Sequence, residues 1–554
     1  MSGEGSLVVR FVDAMERVYP DRVPTPDPDA ARLHAVRGGC AAVVVAVRVR
    51  QPGAISIRFD GWGGRMDWPA PKVHWMKPVR VQANTVCVCK PGRWDPEQAQ
   101  YLLRRAPFQV CEALWPGQEW ETAGGRTEAF LLLFEFPRNA QPGKSAFRVS
   151  VRTSAGANIL TGTVAVHAAC LPDPQRLKVT QWLGLHRLLH PYSGMAPWSS
   201  RHWRMIEQAL TMVRRGGQNT ILLPMTASTF EKDGHLVDAA RMGEGRYRFD
   251  FRRFDRFVRL ALRLGYRYLE GGHIGGKKLN AAGKCNLKDP YVYIQIPDSD
   301  GKPGKQISAE SDEAKIYLRQ FFGALRKHLA RRGWLENFWQ YVADEPFRAS
   351  AESYCRMVDF VRSVFPGVRL ADAASDHSAG YALDMPVPEI DYLDSFPDFY
   401  RGLKKQGKEY WLYVCCAPIG PWPNRFLDFH LNKGGLLPWF CFHYGATGFL
   451  HWAAAQWYEN SDPYEESHFQ GDAFILYPGP NGPVGSMRWL AMRLGVEDYE
   501  LMAALANEGG RAAAAAQRLC NETIQDGTHY TYDTPSIRAA RIRLRGLAAR
   551  YLDS

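Results

Sequence analysis

The sequence predicts an α/β plus all-β protein, in which an N-terminal β-sandwich precedes a (β/α)8 TIM-like barrel and a small C-terminal appendage of a β-hairpin and helices. Two observations support this fold class. Up to Cys170, short runs rich in Val, Phe and Thr are separated by Gly, Pro and Asn turns. After Pro174, short apolar runs alternate with amphipathic helical patterns, which is typical of a barrel. We expect the domains to span 1–174, 175–470 and 471–554.

The sandwich prediction rests on strand-like runs bounded by turn signals such as Pro52-Gly53 and Pro142-Gly143. A series of short strands of this kind is typical of two packed antiparallel sheets. The stiff segment 171–174, which contains two prolines, then predicts a domain boundary. The expected strands are 41–49, 54–59, 85–89, 129–136, 147–151 and 159–166.

The barrel prediction rests on strands that alternate with helices. One helix places Tyr317, Phe321, Leu325 and Leu329 on a single face, because residues four apart are neighbours on a helix. An open doubly wound sheet is the alternative, but no Gly-rich phosphate loop follows the first strand. The strands are expected to begin at Val179, Thr220, Tyr266, Phe338, Val368, Ile390, Glu409 and Gly448, the sixth covering 390–395.

The C-terminal part reads as a hairpin followed by helices. A strand is expected over 473–477, a turn over 478–483 and a helix from Ser486 to Leu505. We expect this part to seal the barrel or to pack on it.

Composition and charge exclude several classes of protein. At 554 residues the chain is too long for one core. Its net charge of +12 comes from dispersed basic residues, so we expect no nucleic-acid partner. We find no signal-like segment and no apolar run of ~20 residues, so we expect no membrane association and a cytoplasmic location. The 11 cysteines favour reduced thiols, and the sequence is compatible with an oligomer.

An adjacent acid pair, Asp344-Glu345, is the most informative feature for function. It ends the apolar run 338–343 and is followed by Pro346. Two neighbouring carboxylates at the end of a buried strand are costly to desolvate unless they have a partner, a solvated cleft or a catalytic use. Because active sites of barrels lie at the carboxyl ends of the strands, we expect the pair to be catalytic.

Other polar residues are expected at the same end of the barrel. Glu270 ends the third strand, and His273 follows it before the long connection 274–311, which is expected to be a lid or binding element. Asp372 and Asp394 end the fifth and sixth predicted strands. The alternative for Glu270 is a structural ion pair with Arg267, and the alternative for His273 is a histidine that bonds only to backbone.

Aromatic residues near the acids suggest a carbohydrate site. Tyr413, Trp452 and Trp457 lie on or after the last two strands. Aromatic rings suit the C–H faces of a sugar, and carboxylates and His273 suit its hydroxyl groups. The alternative is that some of these rings are simply core.

The spacing of the pair favours one type of glycoside hydrolysis. Two carboxylates that straddle a glycosidic bond normally come from different strands. Adjacent acids fit a substrate-assisted reaction instead, in which the sugar's 2-acetamido oxygen attacks the anomeric carbon, Glu345 is the general acid/base and Asp344 orients the acetamido group. This reaction needs no cofactor. His186 and His190 have helical spacing, but no zinc motif surrounds them.

The sequence contains a set of distinctive motifs at 341–346 with 332–335, 249–251 with 253–255, 471–472, 476–479, 486–488 and 495–500. These motifs resemble those of glycoside hydrolase family 123 and its relatives in the domain-of-unknown-function 4091 group. This resemblance implies a retaining β-N-acetylgalactosaminidase that acts on a glycan or glycoside, with the family's stabilising Asp and acid/base Glu at Asp344 and Glu345. The pair Cys415-Cys416 and the composition of the loop after His273 depart from the family pattern, so another N-acetylhexosamine stays open as the substrate.

A protein of another class remains as the rival interpretation. A non-catalytic carbohydrate-binding protein could retain the barrel and use its sandwich or its aromatic rim. It would bind sugars without hydrolysing them. The intact acid pair favours the enzyme.

Overall fold

The computed structural model describes residues 7–552, except for 65–66, 86–95, 226–233, 279–285, 287, 301–302, 347 and 375–376. The predicted strand 85–89, with Cys87 and Cys89, therefore lies almost wholly outside the described residues.

The N-terminal part forms ten described strands and one short helix, α1 (Pro96–Ala99). The strands are β1 (Leu7–Asp13), β2 (Arg32–Arg37), β3 (Cys40–Val49), β4 (Gly53–Trp62), β5 (Lys72–Val81), β6 (Phe108–Pro116), β7 (Glu119–Thr122), β8 (Thr127–Glu135), β9 (Gly143–Thr153) and β10 (Gly156–Cys170). They pair in the orders β1-β3-β8-β5-β6 and β2-β10-β9-β4-β7. The remaining predicted strands all overlap β3, β4, β8, β9 and β10.

The strand β3 shows how the two N-terminal sheets join the rest of the molecule. Its Val43, Val45 and Val47 pack in the core between the sheets, whereas Val44 and Ala46 pack in a cluster that continues into the C-terminal part. Because β3 is buried on both faces, its sequence is a continuous apolar run rather than an alternating one.

The middle of the chain contains a further series of strands. They are β11 (Lys178–Gln181), β12 (Thr220–Leu223), β13 (Asp238–Gly243), β14 (Arg246–Asp250), β15 (Tyr268–Gly271), β16 (Gly275–Gly276), β17 (Tyr293–Pro297), β18 (Pro303–Ser308), β19 (Phe338–Tyr341), β20 (Arg369–Ala373), β21 (Met385–Val387), β22 (Trp411–Tyr413) and β23 (Gly448–His451). The connection 274–311 contains the antiparallel sheet β16-β17-β18.

The parallel strands form two arcs rather than one continuous ladder. One arc has the order β12-β15-β19-β20-β21, and the other has the order β11-β23-β22. The backbone N–H of Tyr413 donates to Pro388 O at 3.0 Å where β21 and β22 meet, and that of Asn219 donates to Val179 O at 3.2 Å between β11 and β12. The strands thus follow one another in chain order, with a backbone hydrogen bond at each of the two junctions.

Helices connect these strands and cover them. They are α2 (Ser200–Arg215), α3 (Arg252–Arg263), α4 (Asp312–Arg332), α5 (Ala351–Val364), α6 (His377–Gly380), α7 (Ile390–Ser395), α8 (Pro397–Lys405), α9 (Leu431–Gly435) and α10 (Leu437–Tyr444). Ser311 caps α4 by accepting from the N–H of Ala314, and Gly333 ends the helix at φ 70°. The predicted face at Tyr317 and its partners is buried, which confirms this helix.

The predicted sixth strand is wrong. Residues 390–395 form the helix α7, and the strand at this place is β21. Ile390 and Leu393 are the buried residues of α7, and a spacing of three fits a helical turn rather than the period of two that a strand requires.

The C-terminal part consists of a hairpin and three long helices. They are β24 (Tyr477–Gly479), β25 (Gly482–Val484), α11 (Met487–Glu508), α12 (Gly510–Thr523) and α13 (Thr534–Tyr551). The predicted strand 473–477 is wrong for its first four residues, because Ile475 and Leu476 both donate their N–H groups to Ala454 O instead of to a strand. Within the described chain, none of the helices has the length and hydropathy needed to cross a bilayer.

A buried ion-pair cluster joins β6 to α11. Glu112 lies between Arg17 and Arg488, at 2.6 Å from each, and all three side chains are almost fully buried. Arg488 also donates to Phe474 O and to the Tyr477 hydroxyl, both at 2.9 Å. The N-terminal sheets therefore supply the counter-charge for a cation of the C-terminal part.

We predict that Arg488→Met lowers the free energy of unfolding by about 3–5 kcal/mol, because it removes one partner of a buried ion pair. Denaturant unfolding measures the change. The matched control is Arg401→Met, whose partner Asp398 is 95% exposed, and which should cost less than about 1 kcal/mol. Equal effects of the two substitutions would contradict the prediction.

Candidate active site

One cavity of about 440 Å³ lies at the carboxyl ends of the parallel strands. Every strand of the two parallel arcs except β21 contributes described residues to its wall, directly or through the residues that follow it. The lining residues are Trp182, Arg187, Leu222, Pro224, Met225, Gly272, His273, Asp344, Glu345, Ala373, Tyr413, Cys415, Cys416, Leu450, Trp452, Gln456, Tyr458 and Phe469. The strand-end rule therefore brings five of the predicted site residues into one cavity: His273, Asp344, Glu345, Tyr413 and Trp452.

Glu345 occupies a strained position. Its φ is 42°, in the left-handed region that side chains other than those of Gly, Asn and Asp rarely adopt. Burial and the charge of Asp344 raise the pKa of Glu345 above its ordinary value, while Lys277 and the Tyr413 hydroxyl oppose the rise. Tyr413 donates to Glu345 Oε1 at 3.0 Å, and Lys277 Nζ lies 3.8 Å from Oε2. Backbone strain of this kind clusters at functional sites.

Asp372 fixes the backbone that leads into the acid pair. Its Oδ2 accepts from the N–H groups of Val342 and Ala343, at 2.9 and 3.1 Å, and from the Tyr354 hydroxyl at 2.6 Å. Asp372 is fully buried and does not line the cavity. Asp372, the acid predicted at the end of the fifth strand, therefore supports the backbone before the acid pair and does not reach the cavity.

His273 connects this support to the acid pair. Its Nε2 lies 3.2 Å from Asp372 Oδ1 and 3.9 Å from Asp344 Oδ1. Burial lowers the pKa of His273, but Asp372 and Asp344 outweigh this effect and raise the pKa above its ordinary value. The alternative in which His273 bonds only to backbone is therefore wrong.

Glu270 lies beneath the cavity and not in its wall. It is fully buried, and it accepts from the hydroxyls of Thr180 at 2.7 Å and Tyr341 at 2.9 Å. Burial raises its pKa to about 7. The suggested partner Arg267 is instead paired with Asp173 at 3.2 Å. Glu270 is therefore a structural carboxylate, as the alternative has it, but its partners are hydroxyls and not an arginine.

Trp452 is held against the cavity by a second acid. Its Nε1 donates to Asp472 Oδ2 at 2.6 Å, while Asp472 Oδ1 lies 2.7 Å from His451 Nε2. Asp472 is fully buried. The indole therefore has a fixed orientation.

Trp457 and Asp394 lie outside the cavity, so their placement in a sugar site is wrong. Trp457 is fully buried and donates to Leu476 O at 3.0 Å, which makes it core. Asp394 lies in α7, where it accepts from the Tyr444 hydroxyl at 2.8 Å and from the N–H of Gly527 at 3.0 Å. It anchors the segment between α12 and α13.

Several lining residues were not among the predicted site residues. Trp182 directly follows β11, so the strand-end rule could have found it; its ring centroid lies 5.4 Å from that of His273. Cys415 and Cys416 both line the cavity, and Cys415 Sγ donates to Glu389 Oε1 at 3.6 Å. Burial and the charges of Asp391 and Glu345 raise the pKa of Glu389 to about 8.

In the portion of the chain that the structure describes, no three His, Cys, Asp or Glu side chains converge as a metal site. His190 Nδ1 lies 2.9 Å from Trp457 O.

Comparisons with known proteins agree on a family. Residues 182–505 match the model of the glycoside hydrolase 123 catalytic domain. The structure is similar to a family 123 glycoside hydrolase from Clostridium perfringens, described for glycolipid glycan hydrolysis, with a TM-score of 0.75 and 13% identity over 98% of this chain and 97% of the other.

More distant similarities have TM-scores too low to support an argument. One is to a GH2 β-galacturonidase from Eisenbergiella tayi, with a TM-score of 0.32, 11% identity and coverage of 89% and 72% of the two chains. Another is to an endo-β-1,4-mannanase from Thermotoga petrophila, with a TM-score of 0.35, 13% identity and coverage of 58% and 76%. No curated protein gives a match. Because the family model covers more than half of the sequence, the chain belongs to glycoside hydrolase family 123.

Proposed function

We propose that this glycosidase releases terminal β-linked N-acetylgalactosamine with retention, by attack of the substrate's own 2-acetamido oxygen. The observation that carries the proposal is the origin of the acids in the cavity. Asp344 and Glu345 are adjacent in sequence, and among the described lining residues no carboxylate comes from another strand. A protein nucleophile on the opposite side of the sugar would have to come from another strand.

The buried acids nearby are poor candidates for such a nucleophile. Glu270 and Asp372 do not line the cavity. Both oxygens of Glu270 and Oδ2 of Asp372 accept hydrogen bonds from the protein. A nucleophile has to reach the anomeric carbon. The sugar's acetamido oxygen can do so without any further protein group.

The two acids then divide the work. Glu345, whose pKa is raised, protonates the leaving oxygen and later removes a proton from the attacking water. Asp344 accepts the acetamido N–H and stabilises the positive charge of the oxazolinium-like intermediate. His273, 3.9 Å away, orients Asp344. The ring of Trp452 packs against the C–H face of the sugar, and Asp472 fixes the orientation of that ring.

We also infer that the two strand arcs act together as a (β/α)8 barrel. Their strands follow chain order, and the ends of both arcs line one cavity. Such a shared mouth is where barrel enzymes have their active sites.

The test of the proposal is hydrolysis of matched para-nitrophenyl glycosides: the β-N-acetylgalactosaminide, the β-N-acetylglucosaminide and the β-galactoside. We expect release from the first and none from the plain galactoside, because that sugar lacks the attacking group. On a substrate with a poor leaving group, Glu345→Gln should lower kcat by about 10²–10⁴-fold. The control Glu352→Gln changes an acid that is 88% exposed on α5 and should leave the rates unchanged.

Two results would contradict this expectation. Equal hydrolysis of the plain galactoside would remove substrate assistance and require a separate nucleophile. Full activity of Glu345→Gln would remove the assigned acid/base. Faster release from the glucosaminide would be compatible with substrate assistance but would contradict the assignment of N-acetylgalactosamine as the sugar.

Tyr413→Phe tests the proton held by Glu345. The Tyr413 hydroxyl stabilises the ionised carboxylate, so its loss should raise the pKa of Glu345 further. Since the acid must be protonated at the start of the reaction, the basic limb of the kcat/KM profile should move to higher pH. Tyr551→Phe, on α13, is the control. A shift to lower pH, or none, would be incompatible with this role for Glu345.

Asp372→Asn tests the support beneath the pair. Loss of the negative charge should lower the pKa of His273, which is observable by NMR titration of its ring. Because this pKa is raised in the folded state, His273 contributes stability below its unfolded pKa of 6.5, and that contribution is lost as the pH rises through the folded value. The substitution should weaken this pH dependence. An unchanged His273 titration would contradict the assignment; Asp398→Asn is the exposed control.

A further inference from the structure

Arg187 is a cation in the cavity wall that the proposed reaction does not use. It begins the short 3-10 helix Arg187–Leu189 after β11 and is partly buried. Its guanidinium carbon lies 4.9 Å from the ring centroid of Tyr458, another lining residue. Over the described parts of the chain, its guanidinium has neither a hydrogen-bond nor an ion-pair partner.

The surroundings of Arg187 hold it in this place. Tyr458 packs against His468 with ring centroids 4.3 Å apart, and His468 Nε2 lies 2.7 Å from Ser461 Oγ. Gly184 leaves the necessary room: a Cβ there would lie 3.0 Å from Arg187 Cγ and 2.5 Å from Gln456 Oε1. The local sequence thus makes space for a guanidinium and an amide side by side.

Arg187 lies on the side of the cavity away from the acid pair. It follows β11, and Gln456 and Tyr458 follow β23, which pairs with β11. Asp344 and Glu345 follow β19, which pairs with β15 and β20 instead. No ion pair joins Arg187 to either acid in the described residues. The cation therefore does not neutralise the catalytic carboxylates and is available to a ligand.

We propose that Arg187 binds an anionic substituent of the glycan, so that the substrates are acidic glycans with a sulfate ester or a carboxylate on or next to the N-acetylhexosamine. The inference rests on the proposed function and adds the substrate class. The planar guanidinium matches both oxyanions with two parallel hydrogen bonds, which an ammonium group cannot do. Gln456 adds an amide donor to the same wall.

The experiment compares kcat/KM for para-nitrophenyl β-N-acetylgalactosaminide with its 4-sulfated and 6-sulfated forms, and for disaccharides in which the same sugar is linked to glucuronate or to glucose. We expect at least one anionic member to exceed its neutral counterpart by roughly tenfold or more, as a charge-assisted bidentate contact gives. The sulfated and glucuronate arms tell the two sources of charge apart.

The variants assign any preference to Arg187. Arg187→Gln should abolish the ratio of anionic to neutral kcat/KM, and Arg187→Lys should restore part of it, because lysine keeps the charge without the fork. Arg201→Gln removes the same charge at an exposed position outside the wall and should keep the wild-type ratio. Absence of any anionic preference, or its survival in Arg187→Gln, would overturn the inference and leave the proposed function intact.

A binding measurement separates the two proposals. Calorimetry on Glu345→Gln compares N-acetylgalactosamine 6-sulfate, N-acetylgalactosamine 4-sulfate and glucuronate with N-acetylgalactosamine. Tighter binding of an anion, lost when Arg187→Gln is added, supports the site even if no glycoside is hydrolysed. Equal or weaker binding of every anion would refute it, whatever the rates are.

Discussion

The buried guanidinium of Arg425 is the contact on which one wall of the active site depends. Its Nη1 donates to Gln181 Oε1 at 2.5 Å, and its Nη2 contacts His451 Nδ1 at 2.6 Å and Asp472 O at 3.0 Å. Arg425 therefore connects β11, β23 and the segment around Asp472 that orients Trp452. Burial lowers the pKa of Arg425 to about 9. Desolvation of such a cation is tolerated because both of its Nη groups have acceptors.

A second buried guanidinium extends this support to the N-terminal sheets. Arg488 reaches Gly471 O, next to Asp472, and is neutralised by Glu112 of β6. The sheets thus supply a counter-charge to the segment that fixes the indole of Trp452. This arrangement gives them a structural role in the site even though none of their described residues lines its wall. The two arginines lie one after the other behind the same wall, since Arg488 also donates to Arg425 O.

The sequence predicted those parts of the site that follow from local pattern. The acid pair, His273, Tyr413 and Trp452 sit at strand ends, and strand ends are visible as apolar runs that stop. The prediction that Asp394 lies in the site was wrong because residues 390–395 form a short helix and not a strand. Arg187 was not found because a lone arginine in a basic chain looks like any solvated one. It is distinguished in three dimensions by its place in the cavity wall and by the lack of a hydrogen-bond or ion-pair partner among the described residues. Likewise, the roles of Arg425 and Asp472 depend on contacts between distant segments.

Burial raises the pKa of the acids around this cavity, and the donors and charges that surround each acid decide how far it rises. Glu270 accepts from two hydroxyls and lies near His273, but burial outweighs these contacts and raises its pKa to about 7. Glu389 accepts from the thiol of Cys415 and lies near the acids Asp391 and Glu345, and its pKa rises to about 8. Around neutral pH both groups therefore carry protons for much of the time, which limits the negative field beneath the site. Under that reduced field, the rise in the pKa of Glu345 is left chiefly to its own burial and to Asp344, the neighbour with which it would share the reaction.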